Sequence, residues 1–73
     1  MKWEKLRPGH YLANHDGQRF EIWRTCAGYY QCAAYENADT PYAFESFGTR
    51  TLAEAKEALI EIASGATAPS QRD

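Results

Sequence analysis

Apolar residues recur along this chain with two different periods, and the change from one to the other divides it. From Arg19 to Arg24, Phe20 and Ile22 alternate with Arg19, Glu21 and Trp23. That is the two-residue period of a strand with one buried face. Tyr29 to Tyr35 repeats the alternation and is rich in aromatic residues, which suit a pleated surface. His10 to Asn14 reads as a shorter strand, and Asn14-His15-Asp16-Gly17 joins it to the next one as a hairpin turn, because Asp-Gly tolerates the positive φ of tight loops. Thr25 to Gly28 reverses the chain again. Turn formers collect at Asn37 to Pro41, where proline cannot donate a ladder hydrogen bond, and Tyr42 to Phe47 is expected to resume as a short edge strand.

Beyond residue 50 the period lengthens. Leu52, Ala55, Leu59 and Ile62 stand at i, i+3, i+7 and i+10, one stripe of a helix, among Glu54, Lys56, Glu57 and Glu61. Thr51-Leu52-Ala53-Glu54 fits a capping box, in which Thr51 accepts from the amide of Glu54 and Glu54 reaches back to the amide of Thr51. Gly65 is placed as the residue that closes the helix. The expected fold is α+β: an antiparallel meander of three to four strands packed on one C-terminal helix, ββββα. Residues 1–9, broken by Pro8-Gly9, read as an N-terminal arm, residues 10–64 as a single domain, and residues 65–73 as a flexible tail.

A helix with one apolar stripe covers one face of a sheet. The strand phase of Phe20 and Ile22 assigns Leu12, Tyr30, Cys32 and Ala34 to that face. The opposite phase holds Tyr11, Ala13, Arg19, Glu21, Trp23, Tyr29, Gln31, Ala33 and Tyr35, with no second helix to cover it. Two readings of this open face follow. Either the arm folds Trp3 and Leu6 over Trp23 and the aromatics pair across strands, or the face binds a partner protein, a second copy of the chain, or a nucleic acid.

Length and charge narrow these readings. With 73 residues the chain buries one modest core and leaves little volume for a walled catalytic cleft, so a non-catalytic role is expected, with no cofactor. A net charge of −2, from eight basic and ten acidic residues, supplies no general field for a phosphate backbone, which puts a protein partner or homodimer ahead of nucleic acid. No apolar run approaches the roughly eighteen residues that a membrane helix needs, so no membrane is expected. No secretory leader precedes the first strand, so a reducing cytoplasm is the expected compartment.

The residues able to do chemistry are few. His10 and His15 with Cys26 and Cys32 lack the paired short spacing of a closed zinc site, so no metal is expected. Cys26 falls in a turn and Cys32 inside a strand, an arrangement that does not aim their side chains at each other for a disulfide. Neither cysteine sits in a catalytic signature. The candidate binding residues are therefore Tyr11, Arg19, Trp23, Arg24, Tyr29, Gln31 and Tyr35.

The order of strands followed by one helix, entered through Thr51-x-x-Glu54-Ala55, resembles the arm-type DNA-binding domain at the N-terminus of phage and transposon tyrosine integrases over about residues 10 to 64. That resemblance implies a sheet entering the major groove, with Arg19, Glu21, Trp23, Tyr29 and Gln31 facing DNA. The chain is also similar to short accessory proteins of phages and prophages, through the Gly-x-Arg-Phe-x-Ile strand at Gly17 to Ile22 and the Thr-Leu-Ala-Glu-Ala-Lys helix entry at Thr51 to Lys56. This second likeness implies a small binding or inhibitory protein and names no target; the role expected from the two together is modulation or inhibition of a bacterial host protein.

Overall fold

The computed structural model describes residues 1–65, and the expected tail lies, apart from Gly65, outside the described residues. The elements run β1 (Glu4–Arg7), β2 (His10–His15), β3 (Gln18–Arg24), β4 (Tyr30–Tyr35), β5 (Glu45–Thr49) and α1 (Leu52–Ser64). The five strands form one antiparallel sheet in the order β1-β2-β3-β4-β5, a meander in which each strand pairs only with its neighbours in the chain. The helix packs chiefly on β4, β3 and β5.

The α+β meander with a C-terminal helix is as the sequence predicts, with one strand more. The segment read as an arm contains β1, which pairs with β2 through Glu4↔Leu12 and Lys5↔Tyr11 and shifts register before Arg7↔His10. Leu6 lies at that irregularity, 44% exposed, and no residue of β1 is buried. The charged side chains and the bulge suit a free edge, since both discourage pairing with another chain. Trp3, which one of the two readings folds over Trp23, packs instead against the core cluster on the helix side.

The loop between β2 and β3 consists of Asp16 and Gly17 with φ of 52° and 80°, the two positive values of the hairpin turn whose twist matches that of its strands. This turn pairs His15 with Gln18, and the register then follows as Ala13↔Phe20 and Tyr11↔Ile22. Residues directly opposite one another share a face. Tyr11 and Ala13 therefore lie on the helix side and Leu12 on the open side, the reverse of the expectation for all three. An apolar Leu12 invites assignment to the core, but a two-residue loop fixes parity regardless of hydrophobicity.

The rest of the core follows the expected phase. Phe20, Ile22, Cys32, Ala34, Ala55 and Leu59 are fully buried together, with Tyr11, Tyr30, Phe47, Leu52 and Ile62 packed around them. Burial pushes the Cys32 thiol up from 9.0 to about 11, against a weaker opposing effect of its hydrogen bond with Thr49. At the helix start, the hydroxyl of Thr51 accepts from the amide of Glu54 at 3.1 Å. The Glu54 carboxylate, however, accepts from the amide of Arg50 at 3.2 Å and not from that of Thr51, so the box closes one residue earlier than expected. Gly65 ends the helix at φ 76°, its N–H directed to the carbonyls of Glu61 and Ile62.

The last strand begins later than Tyr42. The carboxamide oxygen of Asn37 accepts from the amides of Asp39 and Thr40, both at 2.9 Å, so an Asx turn holds the loop. Tyr42 and Phe44 lie before β5 and are 80% and 48% exposed.

Candidate functional site

The open face is laid out in rows by the strand register. One row runs His10, Trp23, Gln31, Gly48; the next runs Leu12, Glu21, Ala33, Ser46; the third runs Asn14, Arg19, Tyr35. Trp23 meets His10 edge to face with ring centroids 6.3 Å apart. Gln31 donates from its side-chain amide to the hydroxyl of Ser46 at 3.0 Å, across β4 and β5. Tyr29, two residues before Gln31, lays its ring over Gly48, where an added Cβ would come within 3.1 Å of two ring carbons. Gly48 thus lets an aromatic ring lie close over β5, so Trp23 and Tyr29 flank Gln31. Between the aromatic row and Tyr35, Ala33 is only 2% exposed, so the larger side chains around it close over the middle of the face.

The charges in the middle of this face are paired with one another, while Glu4 and Arg7 stand exposed at its β1 edge. The Arg19 guanidinium stacks on the Tyr35 ring at 3.9 Å, donates to the carbonyls of Ala38 and Thr40 at 2.8 and 3.3 Å, and places Nε 3.1 Å from Glu21 Oε2. The Nε–H itself is not aimed well enough to form a hydrogen bond, so that last contact is Coulombic. The other carboxylate oxygen of Glu21 lies 3.7 Å from His10 Nε2. Glu21 is therefore bracketed by a histidine and an arginine, and Arg19 anchors the loop after β4 to the sheet.

Of the sequence-predicted binding residues, Arg19, Trp23, Tyr29, Gln31 and Tyr35 share this face. Tyr11 does not: it lies on the helix side, where Lys56 Nζ stands 5.5 Å from its ring centroid. Arg24 pairs with Tyr30 in phase with Ile22, which also puts it on the helix side, at the exposed end of β3. Leu12 and His10 belong to the open face and were not among the candidates. The Asp16-Gly17 loop would have revealed both, because it sets which residues of β2 oppose Glu21 and Trp23.

The helix side holds a second feature. A groove of about 700 Å³ runs beside the helix and is lined by Lys5, Gly9, Tyr11, Arg24, Cys26 and Tyr30, among others. Cys26 is exposed and Cys32 buried, both as free thiols. Among the described residues, no three of the histidine, cysteine and carboxylate side chains converge as metal ligands would, and no helix is long and apolar enough to cross a membrane. Comparison of the chain with protein families, with curated proteins and with solved structures returns no match.

Proposed function

We propose that the protein is a non-catalytic binding module whose open sheet face docks on another protein. The observation that carries this reading is the disposition of charge. Arg19 is satisfied by Tyr35, Glu21, Ala38 and Thr40, and Glu21 stands mid-face. A phosphate backbone approaching this face would meet the Glu21 carboxylate at its centre, with the exposed Arg7 only at the β1 edge opposite His10, a poor match for a row of phosphates, which argues against sheet-face nucleic-acid binding. A protein surface would meet Trp23 and Tyr29 beside the exposed Ser46, flanked by the polar groups of Gln31 and His10. Large aromatics beside small residues are the kind of surface that concentrates binding energy. The free thiols are in keeping with action in a reducing cytoplasm. The likeness to small phage accessory proteins is in keeping with docking that modulates a bacterial partner.

The test is a comparative capture. Tagged wild type, Trp23→Ala and the helix-surface variant Glu57→Ala are incubated with nuclease-treated bacterial lysate, alongside sedimentation of each purified protein. A species held by wild type and Glu57→Ala but lost from Trp23→Ala supports a protein partner. Sedimentation as a dimer that only Trp23→Ala dissociates would replace the partner with a second copy of the chain. Capture that disappears with nuclease, or is indifferent to Trp23, refutes the reading.

A further inference from the structure

The groove beside the helix has a composition unlike the rest of the molecule. The helix rests chiefly on β3 to β5, so β2 and β1 extend past it on the same side of the sheet. Tyr11 lies between Lys5 on β1 and Ile22 on β3, and Tyr30 lies opposite Arg24. The concavity this leaves takes both tyrosines, Lys5 and Arg24 in its lining. Lys56 reaches the Tyr11 ring from the helix. Two of the eight basic residues thus line the groove and a third, Lys56, stands over one of its tyrosines, and no carboxylate lines it although acids outnumber bases in the chain. The helix acids Glu54, Glu57 and Glu61 line a different depression, on the other side, with Gly48 and Arg50. Among the described residues Lys5, Arg24 and Lys56 have no ion-pair partner, in contrast to Arg19.

We propose that this groove binds a nucleotide phosphate, its anionic group between Lys5, Arg24 and Lys56 and its base against Tyr11 or Tyr30. Unpaired cations gathered in a concavity without carboxylates raise the local concentration of anions even on a protein of negative net charge. Tyrosine faces beside them add stacking, which any base can use, and this combination is the one that holds single-stranded nucleic acid and nucleotides alike. The volume lies within the range of small-ligand sites. The ligand unit is common to a free nucleotide and to a single strand. The groove lies on the other side of the sheet from Trp23 and Gln31, with Gly9 and Arg24 at the rim between the two, and the proposal stands independently of protein docking.

The experiment is amide chemical-shift titration of the intact protein with adenosine monophosphate, with inorganic phosphate, and with a short oligothymidylate. The expected result is a shift of the Tyr11, Arg24 and Gly28 amides. Adenosine monophosphate should bind at least about tenfold more tightly than phosphate, and Lys5→Gln with Arg24→Gln should weaken it by about tenfold or more with the circular dichroism spectrum unchanged. Both residues are exposed, so the pair is compatible with folding. Stronger binding of the oligonucleotide, with an affinity that falls steeply with salt, assigns the source as a nucleic-acid strand, and equal binding per nucleotide assigns it as the free nucleotide. The proposal is overturned if none of the probes moves the groove amides at millimolar concentration, if phosphate binds as well as the nucleotide, or if the double variant binds as wild type does.

Discussion

Replacing Gly48 with alanine sets two effects of known sign against each other. Glycine inside a strand costs roughly 0.5–1 kcal/mol relative to alanine, because the unfolded chain has more freedom to lose, so Gly48→Ala carries a stabilising contribution of that order. Against it stands the new methyl, which would lie 3.1 Å from two carbons of the Tyr29 ring and 3.6 Å from the carbonyl oxygen of Tyr30. The second distance is an ordinary contact. The first is too close, but the obstacle is the ring of a side chain 42% exposed just before β4, and the ring can turn outward by a few tenths of an ångström. The net change in stability is therefore expected to lie within about 1 kcal/mol of zero, with Tyr29 displaced. Urea denaturation of Gly48→Ala, Tyr29→Leu and the double variant measures this as a cycle. The alanine should stabilise by most of 1 kcal/mol in the Tyr29→Leu background and by less in the wild type, a positive coupling between the two sites. A loss of more than about 2 kcal/mol in the single variant, persisting without the tyrosine ring, would show that backbone geometry and not Tyr29 excludes a side chain at position 48, and the account of the aromatic row would fall with it.

Leu59→Ala removes a fully buried side chain from the helix stripe and is expected to cost about 2–5 kcal/mol, a large part of the roughly 4–11 kcal/mol available to a chain this size; a urea midpoint near that of wild type would mean that the helix does not rest on the sheet as described. Thr51→Ala removes the acceptor for the Glu54 amide and should lower stability by about 1 kcal/mol, read as a fall of roughly 4–8 °C in the melting temperature. The raised pKa of Cys32 means that folding favours the protonated thiol, so stability attributable to this group is intact below pH 9.0 and is lost as pH climbs toward about 11. Wild type should therefore lose up to about 3 kcal/mol over that interval that Cys32→Ala does not, and parallel stability curves for the two proteins would disprove it. Iodoacetamide at mildly alkaline pH should label the exposed Cys26 rapidly and Cys32 only on unfolding, as peptide mass analysis would report.

Much of this architecture was readable from residue order, and what was not has identifiable causes. The helix was legible at both ends because Thr51 with Glu54 and the glycine at 65 are local signals that tertiary packing does not override. Phe20, Ile22, Cys32 and Ala34 were legible because both faces of their strands differ in polarity. Leu12 misled through its hydrophobicity, although the positive-φ pair at Asp16 and Gly17 already dictated that Ala13 faces Phe20. β1 gave no signal, since an edge strand without a buried residue has no alternation to detect. Tyr42 and Phe44 mimicked a strand by their aromatic character, while the Asx turn at Asn37 and the proline delay pairing until Glu45. Among the candidate residues, parity put Arg19, Trp23, Tyr29, Gln31 and Tyr35 on one face, while Tyr11 and Arg24 lie on the other. The groove could not be anticipated, because it arises from the helix covering only part of the sheet's width.

The meander also bears on how the chain is made. With every strand paired to its predecessor, each hairpin can close as soon as its second half leaves the ribosome, without waiting for distant sequence. The element that shields Phe20, Ile22 and Cys32 is the helix, and it emerges after all five strands. A nascent sheet would thus present its greasy side to the cell for as long as it takes to synthesise the residues from Thr49 to Leu59 and clear them from the exit tunnel. Chaperone capture of chains stalled behind an added C-terminal spacer should accordingly peak at spacer lengths that expose β5 while α1 is still inside, and subside once Leu59 emerges.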